Sequence, residues 1–94
     1  MEILHKDDGK EGIFYMEKKG ETVAEMTYIR RGDDQIMIDH TEVDASLEGT
    51  GAAKELLATA VDYARKNALK IVPLCPYVKH QFEKEPEKYA DVVA

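Results

Sequence analysis

The sequence predicts a mixed α+β fold: a mostly antiparallel, twisted sheet ending in a parallel, splayed strand pair, with two main helices. Three observations predict it. Residues 12 to 43 fall into three alternating runs separated by glycine-containing turns. Residues 51 to 67 carry an apolar stripe at helical spacing, and a short apolar run at 70 to 75 follows it. A strand-helix-strand order of that length makes its two strands parallel. The 94 residues suffice for one modest core, so a single domain over 1–94 is expected and two-domain enzymes are excluded.

Taken in order, residues 2 to 5 suggest an edge strand. Residues 12 to 18 (GIFYMEK) and 22 to 30 (TVAEMTYIR) form a hairpin across Lys19-Gly20-Glu21. After the turn Arg31-Gly32-Asp33-Asp34, residues 35 to 43 (QIMIDHTEV) give a third strand, whose period of two sets Ile36, Ile38 and His40 on one face. From Gly51 to about Asn67, Ala53, Leu56, Leu57, Ala60, Val61 and Ala64 recur on one helical face, leaving Lys54, Glu55, Asp62 and Arg65 outside. The run KIVPLC at 70 to 75 reads as a buried strand. Pro73 lacks a ladder donor, which splays this strand from its neighbour. Pro76 suits the first position of a second helix over 76 to 84, with Cys75 as its cap residue, and Pro86 opens a short acidic turn or helix over 86 to 92.

Composition narrows function. Hydrophobic residues make up 44% and charged residues 34%, the balance of a soluble globular domain rather than a disordered chain. The net charge of -6, with no run of Lys or Arg longer than two, repels a phosphate backbone, so nucleic acid is not expected as a partner. A lone Cys75 forms no internal disulfide, and no apolar stretch reads as a signal or a membrane span, so the expectations are a cytoplasmic setting and no membrane partner. His5, His40 and His80 lack the close spacing of a zinc site, so no metal is expected.

The junction at residues 36 to 64 carries the chemistry: a strand enters a glycine loop that turns directly into a helix. The first four amides of a helix lack internal partners and lie at the positive end of its dipole, and Gly49 and Gly51 let an anion approach them. Taken alone, a Gly-x-Gly before a helix serves close helix packing about as often as phosphate binding. The Gly-Lys-Ser/Thr of a P-loop is missing. So are the third glycine and the early position of a dinucleotide fingerprint.

The strand ending at Val43-Asp44, the loop Glu48-Gly49-Thr50-Gly51-Ala52-Ala53 and the helix that starts at once resemble the GNAT N-acetyltransferase superfamily. The segments Asp39-His40-Thr41-Glu42-Val43, Ile71-Val72-Pro73-Leu74-Cys75-Pro76 and Phe82-Glu83-Lys84 resemble its small, minimal-length subfamily, over residues 35 to 90. The resemblance implies acetyl-CoA as cosubstrate, with its pyrophosphate on the amides of Glu48, Gly49, Thr50, Gly51, Ala52 and Ala53. It further implies that the pantetheine arm lies between the strands 35–43 and 70–75, paired with the backbone of Glu42 and Val43, and that the thioester points toward His40 and Cys75. Pro76 and Tyr77, opening the second helix, complete the expected cofactor-binding set.

Three departures accompany these matches. Glu48 stands where the superfamily usually has Arg or Gln, and a carboxylate facing pyrophosphate opposes binding, so Glu48 offers only its amide. Phe82 stands near the place of a tyrosine that protonates the departing CoA thiolate in larger relatives, leaving Tyr77 as the nearby phenol. The loop at residues 6 to 11 is too short for the helices that shape the acceptor site in those relatives.

Two residues are the catalytic candidates. Cys75 opens a helix, where the dipole favours a thiolate, and can accept an acetyl group; the plainer reading is a buried structural cysteine. His40 can take a proton from a thiol or an amine, because imidazole titrates near neutrality; its plainer reading is a core histidine. His80 and Lys84, four apart on the last helix, either face CoA phosphates or solvent. The expected function is an N-acetyltransferase acting on an unidentified amine or protein acceptor, by direct attack or through acetyl-Cys75. The alternative is a CoA-binding or sensing module without turnover.

Overall fold

The computed structural model describes all 94 residues. Five strands, β1 (Leu4–Asp7), β2 (Glu11–Lys18), β3 (Glu21–Arg31), β4 (Gln35–Val43) and β5 (Lys70–Pro73), form one sheet in sequence order. The first three pairings are antiparallel and β4 with β5 is parallel. The crossover between the parallel strands is α1 (Ala52–Lys66). After β5 come α2 (Pro76–Lys84) and the one-turn α3 (Pro86–Tyr89). The tail then returns to the outer edge of β5, where Ala94 donates to the Ile71 carbonyl at 2.9 Å. This is the expected architecture, with a longer β3 and a shorter β5 than the sequence pattern alone drew.

Helix α1 covers one face of the sheet. Its stripe of Leu56, Leu57, Ala60, Val61 and Ala64 is buried against Phe14 and Met16 of β2, Ala24, Met26 and Tyr28 of β3 and Ile36 and Ile38 of β4. Burying a leucine such as Leu56 stabilises the fold by roughly 2 to 5 kcal/mol relative to alanine. The opposite sheet face bears no helix from the β1–β4 segment.

One sequence expectation fails inside β4. Thr27 pairs with His40 but Tyr28 pairs with Ile38, so Asp39 is an extra residue and the ladder bulges there. An extra residue reverses the alternation that follows it. Ile36 and Ile38 stay in the core, but His40 and Glu42 turn to the open face, and Thr41 and Val43, opposite the buried Met26 and Ala24, take the core side. A strict period of two had set His40 beside the isoleucines.

At the far end of the sheet a closed polar network ties β1 down. The His5 ring stacks on Phe14 with centroids 4.2 Å apart, and its Nε2 lies 2.6 Å from the Tyr28 hydroxyl. That hydroxyl donates to Asp7 at 2.5 Å, Arg30 Nε donates to the same carboxylate oxygen at 2.9 Å, and another Arg30 nitrogen donates to the Tyr63 hydroxyl at 2.6 Å. Since Tyr28 spends its proton on Asp7, Nε2–H of His5 is the donor to Tyr28. The hydrogen bond from Arg30 holds the Asp7 carboxyl well below the usual carboxylate range, burial with the Asp7 bond pushes the Tyr28 phenol up, and burial pushes His5 down. Gly12 makes the arrangement possible: a Cβ there would stand 2.3 Å from the Tyr28 ring.

Candidate functional site

The parallel pairing of β4 with β5 stops at Ile38 and Pro73. The Ile38 carbonyl accepts from both Leu74 (3.0 Å) and Cys75 (2.8 Å), after which the chain turns into α2 and leaves the rest of β4 without a neighbour on that side. Pro73 sits at the last pairing position, but Lys70 and Leu74 donate to the β4 side while Ile71 donates to the tail at Val92. The donor that Pro73 lacks would therefore face away from β4, and the turn into α2, not the proline, ends the pairing. The opening that results exposes only alternate backbone groups. Asp44 N–H bonds to Val23, so the period of two directs the main chain of Glu42 and His40 toward β3 and that of Thr41 and Val43 into the opening. Val43 therefore keeps its expected place on the opening, whereas Glu42 does not. The residue that replaces it is Thr41, displaced there by the bulge.

Above the opening the chain passes from β4 through a 3-10 turn, Ala45–Leu47, capped by Asp44, whose carboxylate accepts from the Ser46 amide at 3.0 Å. Gly49 and Gly51 follow with φ of 79° and 84°, a region that glycine enters without steric cost, and Gly51 caps α1 with no side-chain bond. Two of the expected amides are already engaged: Glu48 N–H bonds to Ala45 and Thr50 N–H to Leu47, both at 3.2 Å. Those of Gly49, Gly51, Ala52, Ala53 and Lys54 have no protein acceptor. The free donors thus form a tighter set than the sequence suggested. It loses Glu48 and Thr50 and gains Lys54, whose exposed ammonium adds a positive charge at the positive end of the helix dipole.

These amides border a groove of about 270 Å³ lined by Val43, Leu47, Glu48, Gly49, Gly51, Ala52, Ala53, Lys54 and Tyr77. Of the residues expected at the cofactor, Thr50, Pro76 and Glu42 do not line it. Tyr77 stands half-buried at its far wall, and burial, with Tyr89 and Cys75 near it, raises its phenol so that it stays protonated at neutral pH. Phe82 is buried one helical turn further on and packs on Tyr89 with ring centroids 4.6 Å apart. His80 and Lys84 are exposed on α2 and do not reach the groove.

The two catalytic candidates are separated by the strand between them. Cys75 is the N-cap of α2, almost fully buried, and its Sγ–H donates to Thr41 Oγ1 at 3.2 Å, on the core side of β4. His40 lies on the open side with 53% of its side chain exposed, its Nε2 3.4 Å from Glu42. Glu25 joins them from β3, the ligand atoms of the three residues lying within 4.8 Å of one another. This cross-strand cluster had no signature in local spacing.

The largest surface cavity, about 520 Å³, lies elsewhere, lined among others by Lys6, Asp7, Asp8, Glu11, Gly12, Thr27 and Asp39. Four carboxylates against one lysine make it a poor phosphate site. The smaller groove, with free amides and a helix N-terminus, suits an anion better.

Comparison with known proteins bears on the family and the fold. A family model described as GCN5-related N-acetyl-transferase matches residues 13–92. A search of curated proteins found no match. Among solved structures, the chain is similar to a GCN5-like candidate N-acetyltransferase from Staphylococcus aureus at 39% identity, covering 99% of this chain and 87% of that one with a TM-score of 0.74. It shares its fold with a ribosomal-protein-alanine N-acetyltransferase from Brucella melitensis (22% identity, 93% of this chain and 64% of that one, TM-score 0.63). It does so too with a GNAT family acetyltransferase from Elizabethkingia anophelis with acetyl-CoA bound (12% identity, 84% and 53%, TM-score 0.62). The chain thus spans roughly half to two thirds of those two larger proteins.

Proposed function

The chain belongs to the GCN5-related N-acetyltransferase family, and from that premise we propose that it binds acetyl-CoA at the α1 N-terminus and moves the acetyl group to an amine through Cys75. The free amides of Gly49, Gly51, Ala52, Ala53 and Lys54 receive the pyrophosphate, and Glu48 keeps its carboxylate in solvent. The pantetheine arm pairs with the main chain of Thr41 and Val43 as an added strand would, which brings the thioester to the end of β5. The family neighbour solved with acetyl-CoA supports this reading of the cosubstrate.

The observation that carries the covalent route is that Cys75 bonds through its N–H to Ile38, where the β4–β5 pairing ends, and through its thiol to Thr41, on the side of β4 opposite His40. Cys75 Sγ attacks the thioester carbonyl. A bond forms between Sγ and the acetyl carbon, the bond from that carbon to the CoA sulfur breaks, and the thiol proton ends on the departing CoA thiolate. An amine that enters the opening then attacks acetyl-Cys75. A bond forms between its nitrogen and the acetyl carbon, the bond from that carbon to Sγ breaks and the amine's proton returns to the thiolate. His40, on the other side of β4, takes no part.

Phe82 favours a second reading. It leaves the site without the usual phenol at that position, as suits a CoA-binding module without turnover. Incubation with acetyl-CoA and intact-mass measurement separates the two. The covalent route predicts a gain of one acetyl group, abolished in Cys75→Ser and retained in His40→Gln, which should also pass the acetyl to an added amine as the parent does. Binding of CoA with no acetyl gain and no amine acetylation leaves the sensing module.

A further inference from the structure

We infer that Thr41 is the positioning residue for the Cys75 thiol, holding the sulfur toward the β4–β5 opening and stabilising it once its proton has left. This deepens the reading that Cys75 accepts the acetyl group and rests on it. The placement of both residues is fixed by the backbone. Cys75 N–H bonds to Ile38 at 2.8 Å, and Lys79 N–H bonds to the Cys75 carbonyl at 3.0 Å, which pins the cysteine between β4 and the first turn of α2. On β4, the extra residue Asp39 turns Thr41 rather than His40 to that side.

The thiol has a choice at this position, and the choice is informative. A residue at an N-cap ordinarily turns its side chain to the helix amides, but Cys75 makes no such bond. Its one hydrogen bond goes to Thr41 Oγ1 at 3.2 Å. A hydroxyl both accepts and donates. With the thiol protonated, Oγ1 accepts from Sγ–H; with the thiolate, the hydroxyl turns and donates to sulfur. The same side chain thus keeps Sγ aimed along one line through both states, and its β-branched stem restricts χ1 so that little freedom is lost when the bond forms. His40, on the other side of the strand, does neither.

Alkylation by iodoacetamide, followed by intact mass across a pH series, reads this directly and needs no CoA. Thr41→Val keeps shape and strand preference while removing the hydroxyl. It should slow Cys75 labelling at neutral pH by about tenfold, the effect of one hydrogen bond to a charged group, and displace the rate profile to higher pH. Thr41→Ser should restore both rate and profile. Should the valine variant not fold, Thr41→Ala carries the same expectation. A Thr41→Val or Thr41→Ala profile superimposed on that of the parent, or a Thr41→Ser that fails to restore it, overturns the inference. A parent that takes no acetyl group from acetyl-CoA, in the presence of the displaced Thr41→Val profile, refutes the covalent route and leaves Thr41 as the partner of the thiol.

Discussion

The two ends of this small sheet are built on opposite rules. At the β1 end, His5, Tyr28, Asp7, Arg30 and Tyr63 satisfy one another within 2.5 to 2.9 Å, behind a glycine that leaves no spare volume. At the β4–β5 end five amides stand without acceptors, two glycines hold positive φ beside empty space, and a strand edge faces an opening. Amides left open at a helix start are donors that an anion can take, whereas a completed network offers none. Stability and binding are thereby assigned to different ends, and a change at one end should leave the other nearly untouched.

The largest break of this separation is Gly12→Ala. Its methyl would overlap the Tyr28 ring, so denaturant unfolding should show a loss of about 3 kcal/mol, the upper range for overpacking. CoA affinity per folded molecule should not change.

Acid titration gives a graded version. The folded pKa of His5 lies below its ordinary value, so its unfolded form binds the proton more readily, and stability falls as pH drops from about 6.5 through the lowered His5 value. The depressed Asp7 carboxyl contributes stability that is present above about pH 3.9 and lost as pH falls further. Melting temperatures across this range should decline in two stages, and His5→Gln should remove the first.

Much of this was legible in the sequence. Period-two runs, glycine turns and the stripe from Leu56 to Ala64 are local signals, and every strand and helix they implied exists. Pro73 marked the place where β5 leaves β4 but not the cause, since the donor it lacks would face the tail rather than β4. The bulge at Asp39 was not legible, since register depends on which residue of β3 faces which residue of β4, and that one insertion moved His40 away from Cys75 and brought Thr41 to it. Nor could the sequence show that Glu48 and Thr50 spend their amides on the 3-10 turn. The network around Asp7 joins three strands and a helix, contacts that no window of sequence contains.

The central claim is that a CoA phosphate sits on the α1 N-terminus with its arm along Thr41 and Val43. A CoA titration of isotope-labelled protein, mapped on amide resonances and repeated with Ala53→Pro, tests it most directly. Proline is tolerated in the first turn of a helix, where it removes a donor that has no internal partner. The parent should show shifts centred on Thr41, Val43, Gly49, Gly51 to Lys54 and Tyr77, with His5 and Asp7 silent. The variant should keep its melting temperature and bind about tenfold more weakly, the worth of one bond to a charged group. Shifts centred instead on Lys6, Glu11 and Asp39, or an unchanged affinity in the variant, would contradict the account.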